Sequence, residues 1–121
     1  MTKVACAVDE IERLTAGEAK AMLDKDKRGD FVVLDVRQSE EYEAGHIAGA
    51  TLIPLGEMGD RQGELNRDKK FIIYCRSGRR AMAAAIALCG LGTILRKAYP
   101  VGIGGTVLSG QSSSLSDTWW L

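Results

Sequence analysis

Two unbroken apolar runs constrain this chain more than any other feature: Phe31-Val32-Val33-Leu34, ending at Asp35, and Phe71-Ile72-Ile73-Tyr74, ending at Cys75. Successive side chains of a strand point to opposite faces, so a run with no polar alternation needs cover on both sides. Helix signals separate the runs, and strands alternating with helices imply right-handed crossovers and a parallel sheet. The fold class is therefore α/β, with a central, mainly parallel sheet flanked by helices. A chain of 121 residues fits one domain, and at that size about two-thirds of the unfolded surface is buried on folding.

The remaining elements follow from local chemistry. Thr15-Ala16-Gly17-Glu18 reads as a capping box opening a helix over 16–24. Ser39 is expected to cap a short helix through Glu40, Glu41 and Tyr42, which Gly45 ends. A short strand is expected within 50–53, stopped by Pro54, followed by a polar connector over 56–70 with one irregular helical turn. A helix over 78–88 follows the second apolar run, with Gly90 as its C-terminal cap. One more strand should lie within 94–101, with Pro100 at its edge or end, and Gly102, Gly104 and Gly105 mark a turn.

Lys plus Arg and Asp plus Glu are equal at 16 each, so no overall field draws nucleic acid or an anionic membrane to this surface. The longest apolar stretch, 81–91, is too short to span a bilayer. One His and no CxxC spacing leave no metal-ligand cluster, and neither a metal nor another cofactor is expected. Three cysteines, Cys6, Cys75 and Cys89, form no framework of paired short spacings, which points to a reducing, cytoplasmic setting. Cys89, in an apolar helical stretch, is expected to be a buried inert thiol, while Cys6 is left without a role.

The chemistry concentrates in Cys75-Arg76-Ser77-Gly78-Arg79-Arg80, where a strand hands over to a helix. A helix N-terminus leaves N–H groups without intrahelical partners and carries partial positive charge, so an anion is favoured there. A thiolate is such an anion, and three arginines add fixed charge beside it. Ser77 and Gly78 are small enough for successive amides to turn inward into an anion-binding concavity. Clustered arginines without an anion would be costly to desolvate, so a site for a small anion outweighs a merely buried cysteine.

Three stretches together resemble the single-domain rhodanese-like sulfurtransferase family: FVVLDVRQSEEYEAGHIAGATLIPL over 31–55, FIIYCRSGRRA over 71–81, and GIGG near Gly105. The resemblance covers residues 11–108, leaving 1–10 as an N-terminal extension and 109–121 as a Ser-rich tail closing on Trp119 and Trp120. It implies a small α/β domain with the cysteine loop between a central strand and a helix. It also implies two-step sulfur transfer: Cys75 thiolate takes sulfane sulfur from a donor such as thiosulfate, polysulfide or a persulfide, and passes it to cyanide or a thiol. A sulfur-relay protein is the protein partner such chemistry would use. In that reading Arg76 and Arg79 attract the anionic donor, and the loop amides surround the persulfide. Arg80 either joins them or pins the loop to an acidic neighbour. Ser77 offers a hydroxyl to the sulfur. Asp35 and Arg37 are supporting residues whose ion pairing shapes the loop, and His46 bonds backbone rather than moving protons.

Two rival readings use the same cysteine. A persulfide carrier or sensor would hold sulfur for a protein partner. A cysteine-dependent phosphatase or arsenate reductase would need a wider ring, resembling Cys-x5-Arg, but the sixth position after Cys75 is Ala81 and arginines fall at the fourth and fifth.

Overall fold

The computed structural model describes residues 10–104. Residues 1–9, with Cys6, and 105–121, with the expected tail and its two Trp residues, lie outside the described residues. The elements in chain order are α1 (Ala16–Asp24), β1 (Phe31–Asp35), α2 (Ser39–Ala44), β2 (Thr51–Leu52), α3 (Met58–Arg61), β3 (Lys70–Cys75), α4 (Arg79–Gly90) and β4 (Ala98–Gly102). Single 3-10 turns, Leu55–Glu57 and Gln62–Glu64, flank α3.

The four strands form one parallel sheet in the order β2-β1-β3-β4. The two apolar runs are the central pair, which is why neither shows a polar side. Along β3 the side chains alternate between two cores. Phe71, Ile73 and Cys75 face a core with Ala81, Ala84, Ala85 and Leu88 of α4, whereas Ile72 and Tyr74 face Ala19, Ile47, Tyr99 and Val101. The Ala81, Ala84, Ala85 and Leu88 positions recur at helical spacing and are fully buried. Their small side chains let α4 lie close to the sheet, directly after the strand that feeds it.

The capping box of α1 is present: Glu18 N donates to Thr15 Oγ1 and Thr15 N donates to Glu18 Oε1. Several expected boundaries move. Ser39 is the first helical residue of α2; Gln38, extended at φ −83° and ψ 161°, is the capping position, and its N–H donates to Glu41 Oε1 at 2.9 Å. A Glu three residues into the helix satisfies the cap from the other side, so a short hydroxyl is not needed there. The 56–70 connector holds three short helical turns rather than one. Gly90 closes α4 from within, Leu91 is its cap, and Gly92 takes the left-handed position.

Pro100 lies inside β4 rather than at its end, opposite Ile73. The strand tolerates it because Pro100 O accepts from Leu14 N, which turns the donor-less proline nitrogen to the outer side of the sheet. There residues 11–14 run alongside through isolated bridges, Ile11 to Ala98 and Leu14 to Val101. Among the described residues no helix is long and apolar enough to cross a membrane.

Candidate active site

β1 and β3 end side by side, and each ends on a residue with chemistry. Asp35 pairs in register with Tyr74, so their side chains share the face opposite Cys75. The Asp35 carboxylate is fully buried and saturated. It accepts from Arg37 Nε at 2.9 Å, Arg37 Nη2 at 2.7 Å, Arg37 N at 2.9 Å and Tyr74 Oη at 2.7 Å. Arg37 also donates to Gly45 O at 2.6 Å, and Ile47 N donates to Tyr74 Oη at 3.0 Å. Burial, with the Asp35 charge beside it, pushes the Tyr74 phenol well above its ordinary range, so it stays a neutral donor. Burial works most strongly against the Arg37 charge, but hydrogen bonding to Asp35 and the neighbouring negative charges, Asp35 first, together outweigh it and hold the guanidinium protonated. Asp35 and Arg37 do pair, but what the pair fixes is the 45–47 turn and the end of β1, across the sheet from the thiol, and not the cysteine loop it was expected to shape. Tyr74 belongs to this network and was not legible as a polar residue inside an apolar run.

His46 stacks on Tyr42 with ring centroids 3.8 Å apart and donates through Nδ1 to Tyr42 O at 2.9 Å. A carbonyl can only accept, so that nitrogen carries the proton. The expected backbone-bonding role of His46 matches this arrangement.

Cys75 is the free cysteine of the described residues, and it is fully buried at the C-terminal end of β3. Gly78 N donates to its Sγ at 3.0 Å and Ala81 N at 3.4 Å. These are amides of the first turn of α4, aimed at the sulfur as an anion site requires. Gly78 is the N-terminal flanking residue of α4 at φ +95°, a left-handed conformation that glycine adopts without strain. The loop therefore closes on the sulfur within six residues.

Support comes from the end of β4. Ile103 N donates to Cys75 O at 3.0 Å and Gly104 N to Arg76 O at 2.7 Å. A Cβ on Gly102 would stand 2.7 Å from both C and O of Ser77 and 3.0 Å from Gly78 N, so strand and loop meet backbone to backbone. The sequence marks Gly102 only as a turn residue, and no local signal shows that close approach.

The arginines divide. Arg76 and Arg79 are exposed. Arg80 instead makes a two-pronged ion pair with Glu41 of α2, Nη1 to Oε1 at 2.8 Å and Nη2 to Oε2 at 3.1 Å. Of the two roles expected for it, the structure displays the pinning one. The Arg80 hydrogen bonds hold the Glu41 carboxyl down at about 2 despite partial burial. Glu41 in turn keeps Arg80 firmly charged, with the Cys75 sulfur also contributing. Ser77 Oγ accepts from Arg79 N at 3.2 Å, which shapes the loop from within and leaves its own hydroxyl proton to donate. Cys89 is buried on α4 and is disulfide-bonded, not the inert thiol expected. Among the described residues no group of His, Cys, Asp and Glu could hold a metal ion.

A family model described as the rhodanese-like domain matches residues 15–102, a span holding both strand ends and the loop between them. The chain belongs to the rhodanese-like family. A rhodanese-related protein of Thermoplasma volcanium superposes with a TM-score of 0.64 at 30% identity, over 76% of this chain and 86% of that one. Among curated relatives, the putative sulfur carrier protein YrkF of Bacillus subtilis is 53% identical over 53 residues, 44% of this chain and 29% of that protein. The putative sulfurtransferase YtwF of the same organism is 32% identical over 73 residues, 60% of this chain and 69% of that one. Other curated relatives are also much longer than the matched part, which is 27% of one and 53% of another.

Proposed function

We propose that this rhodanese-like domain transfers sulfane sulfur through a persulfide on Cys75. The observation carrying this reading is the Cys75 sulfur at the start of α4, with two backbone amides donating to it and the exposed arginines Arg76 and Arg79 on the loop around it. Cys75 thiolate attacks the outer sulfur of thiosulfate, the sulfur–sulfur bond breaks, and its electron pair leaves on sulfite. An acceptor, cyanide or a thiol, then attacks the bound outer sulfur and the electron pair returns to Cys75, so no oxidant and no general base are required. The amides offset negative charge at each stage without moving a proton. Arg76 and Arg79 attract the dianionic donor and the departing sulfite. A polysulfide or low-molecular-weight persulfide is an equally suitable donor.

A carrier role, with the persulfide handed to a sulfur-relay protein, uses the same group, and a relative named as a putative sulfur carrier favours keeping it. The phosphatase alternative is disfavoured because the amide ring already closes on sulfur at Ala81, where that chemistry needs an arginine.

Intact-protein mass spectrometry after thiosulfate and then cyanide tests the reading. The wild type is expected to gain one sulfur atom and lose it with release of thiocyanate, and Cys75→Ser to gain none. A sulfur adduct on Cys75→Ser would remove the mechanism. Rapid sulfur exchange with a protein persulfide but slow turnover of thiosulfate would favour the carrier.

A further inference from the structure

The loop's own arginines are joined at its rim by a cation from elsewhere in the chain. Glu12 N donates to Ala98 O at 3.0 Å and Leu14 N to Pro100 O at 3.2 Å, which fixes Arg13 between them along the outer side of β4. From there its guanidinium Nη2 reaches to 3.5 Å from where a Cβ on Gly78 would stand. Gly78 is the residue whose amide donates to Cys75 Sγ. Resting on the sulfur-transfer reading above, we propose that Arg13 is a further donor-binding residue, which draws a small dianion of the thiosulfate type to the mouth of the Cys75 loop.

Charge at the rim supports this assignment. Arg37 is neutralised by Asp35 and Arg80 by Glu41. Arg76, Arg79 and Arg13 are exposed and form no ion pair among the described residues. A dianion approaching a thiolate brings three negative charges together, and these three guanidiniums match them. Without a counter-anion such an arrangement of cations is unfavourable. A guanidinium beside the flanking residue of α4 sits at the positive end of that helix, where cations are destabilised unless an anion is bound between them. A purely structural arginine at this position would be expected to carry an acidic partner, as Arg80 does. Arg13 also enters from a separate element, so its contribution can be removed without altering the loop's own residues.

Sulfate, an inert dianion of similar shape, provides a readout independent of turnover: its protection of Cys75 against alkylation by neutral iodoacetamide. Each variant is compared with and without sulfate, so differences in the reactivity of the thiol itself cancel. Arg13→Gln is expected to raise both the sulfate concentration giving half-protection and the KM for thiosulfate about threefold, with kcat within about twofold, as suits an exposed ion pair. Both effects should fade at high ionic strength. Arg13→Lys, which keeps the charge, should stay close to wild type. Unchanged KM with equal protection in all three proteins, or with no protection in any, overturns the proposal, as does Arg13→Lys being as impaired as Arg13→Gln. If no protein takes sulfur from thiosulfate while sulfate protection still depends on Arg13, the anion-binding role stands and the sulfur-transfer reading falls.

Discussion

The ends of β1 and β3 are neighbours in the sheet, and each places a chemically active side chain next to arginine. At the end of β1, Asp35 is fully buried and every demand of its carboxylate is met by Arg37 and Tyr74. At the end of β3, Cys75 is equally buried but meets backbone amides, and the exposed arginines about it have no carboxylate partner among the described residues. A saturated charge pair gives rigidity and has nothing left to offer a ligand. An amide ring with surplus positive charge can bind an anion reversibly. Two similar strand ends thus differ in kind, one tying down the scaffold and the other holding the proposed sulfur site, on opposite faces of one sheet.

The largest effect should come from breaking the saturated end. Asp35→Asn leaves Arg37 charged and buried without its partner, which is expected to cost about 3–5 kcal/mol in urea unfolding. Adding Arg37→Met removes the stranded charge and should recover more than half of that loss, because buried pairs replaced together are far less damaging than either half alone. Losses that simply add would show that the two side chains are not coupled, and the contrast between the strand ends would lose its basis.

The contact between β4 and the loop should give the next largest effect. In Gly102→Ala the new Cβ meets Ser77 backbone at 2.7 Å. The loop must then shift, at a stability cost of roughly 1–3 kcal/mol. Displacing Gly78 N from the sulfur is expected to slow sulfur transfer about tenfold or more, beyond what the stability loss explains. Gly90→Ala serves as the control, since nothing lies within 4 Å of a Cβ there and α4 continues through it. Equal activity in both variants would mean that the end of β4 does not hold the loop in register.

The strands, the crossover helices and the cysteine loop were legible because each rests on a local signal: an unbroken apolar run, a capping box, or small residues after a strand. The Gln38 cap was missed because Ser39 is the better isolated capping residue, and only Glu41 reaching back selects its neighbour. Pro100 is expected only at the edge or end of its strand because no local pattern shows that residues 11–14 run along its donor-less side. Tyr74 hid inside an apolar run whose two faces differ, and the Glu41 partner of Arg80 lies 39 residues away. Gly102 and Arg13 matter through contacts with the loop across the end of β4. Those two approaches were invisible, because spacing along the chain does not encode approach across the sheet.

The smallest effect distinguishes the two ion pairs themselves. Asp35 and Arg37 have side chains 0% and 7% exposed, whereas Glu41 and Arg80 are 32% and 34% exposed, so water screens the second pair. Glu41→Gln should therefore cost less than about 1 kcal/mol at neutral pH. The Glu41 carboxyl is held at about 2 by its hydrogen bonds to Arg80, against an ordinary value of 4.5. A lowered carboxyl stabilises the fold fully above its ordinary value and loses that contribution as pH falls toward the folded value. The gap in Tm between wild type and Glu41→Gln should thus hold above pH 4.5, shrink below it and close near pH 2. A gap that does not change with pH would mean that Glu41 acts by packing alone. Freed from Glu41, Arg80 would also become a further unpaired cation near the mouth, and the KM for thiosulfate is expected to fall about twofold at low salt. No change in KM would place Arg80 outside the field that the donor meets, leaving Arg76, Arg79 and Arg13 as the charges that face it.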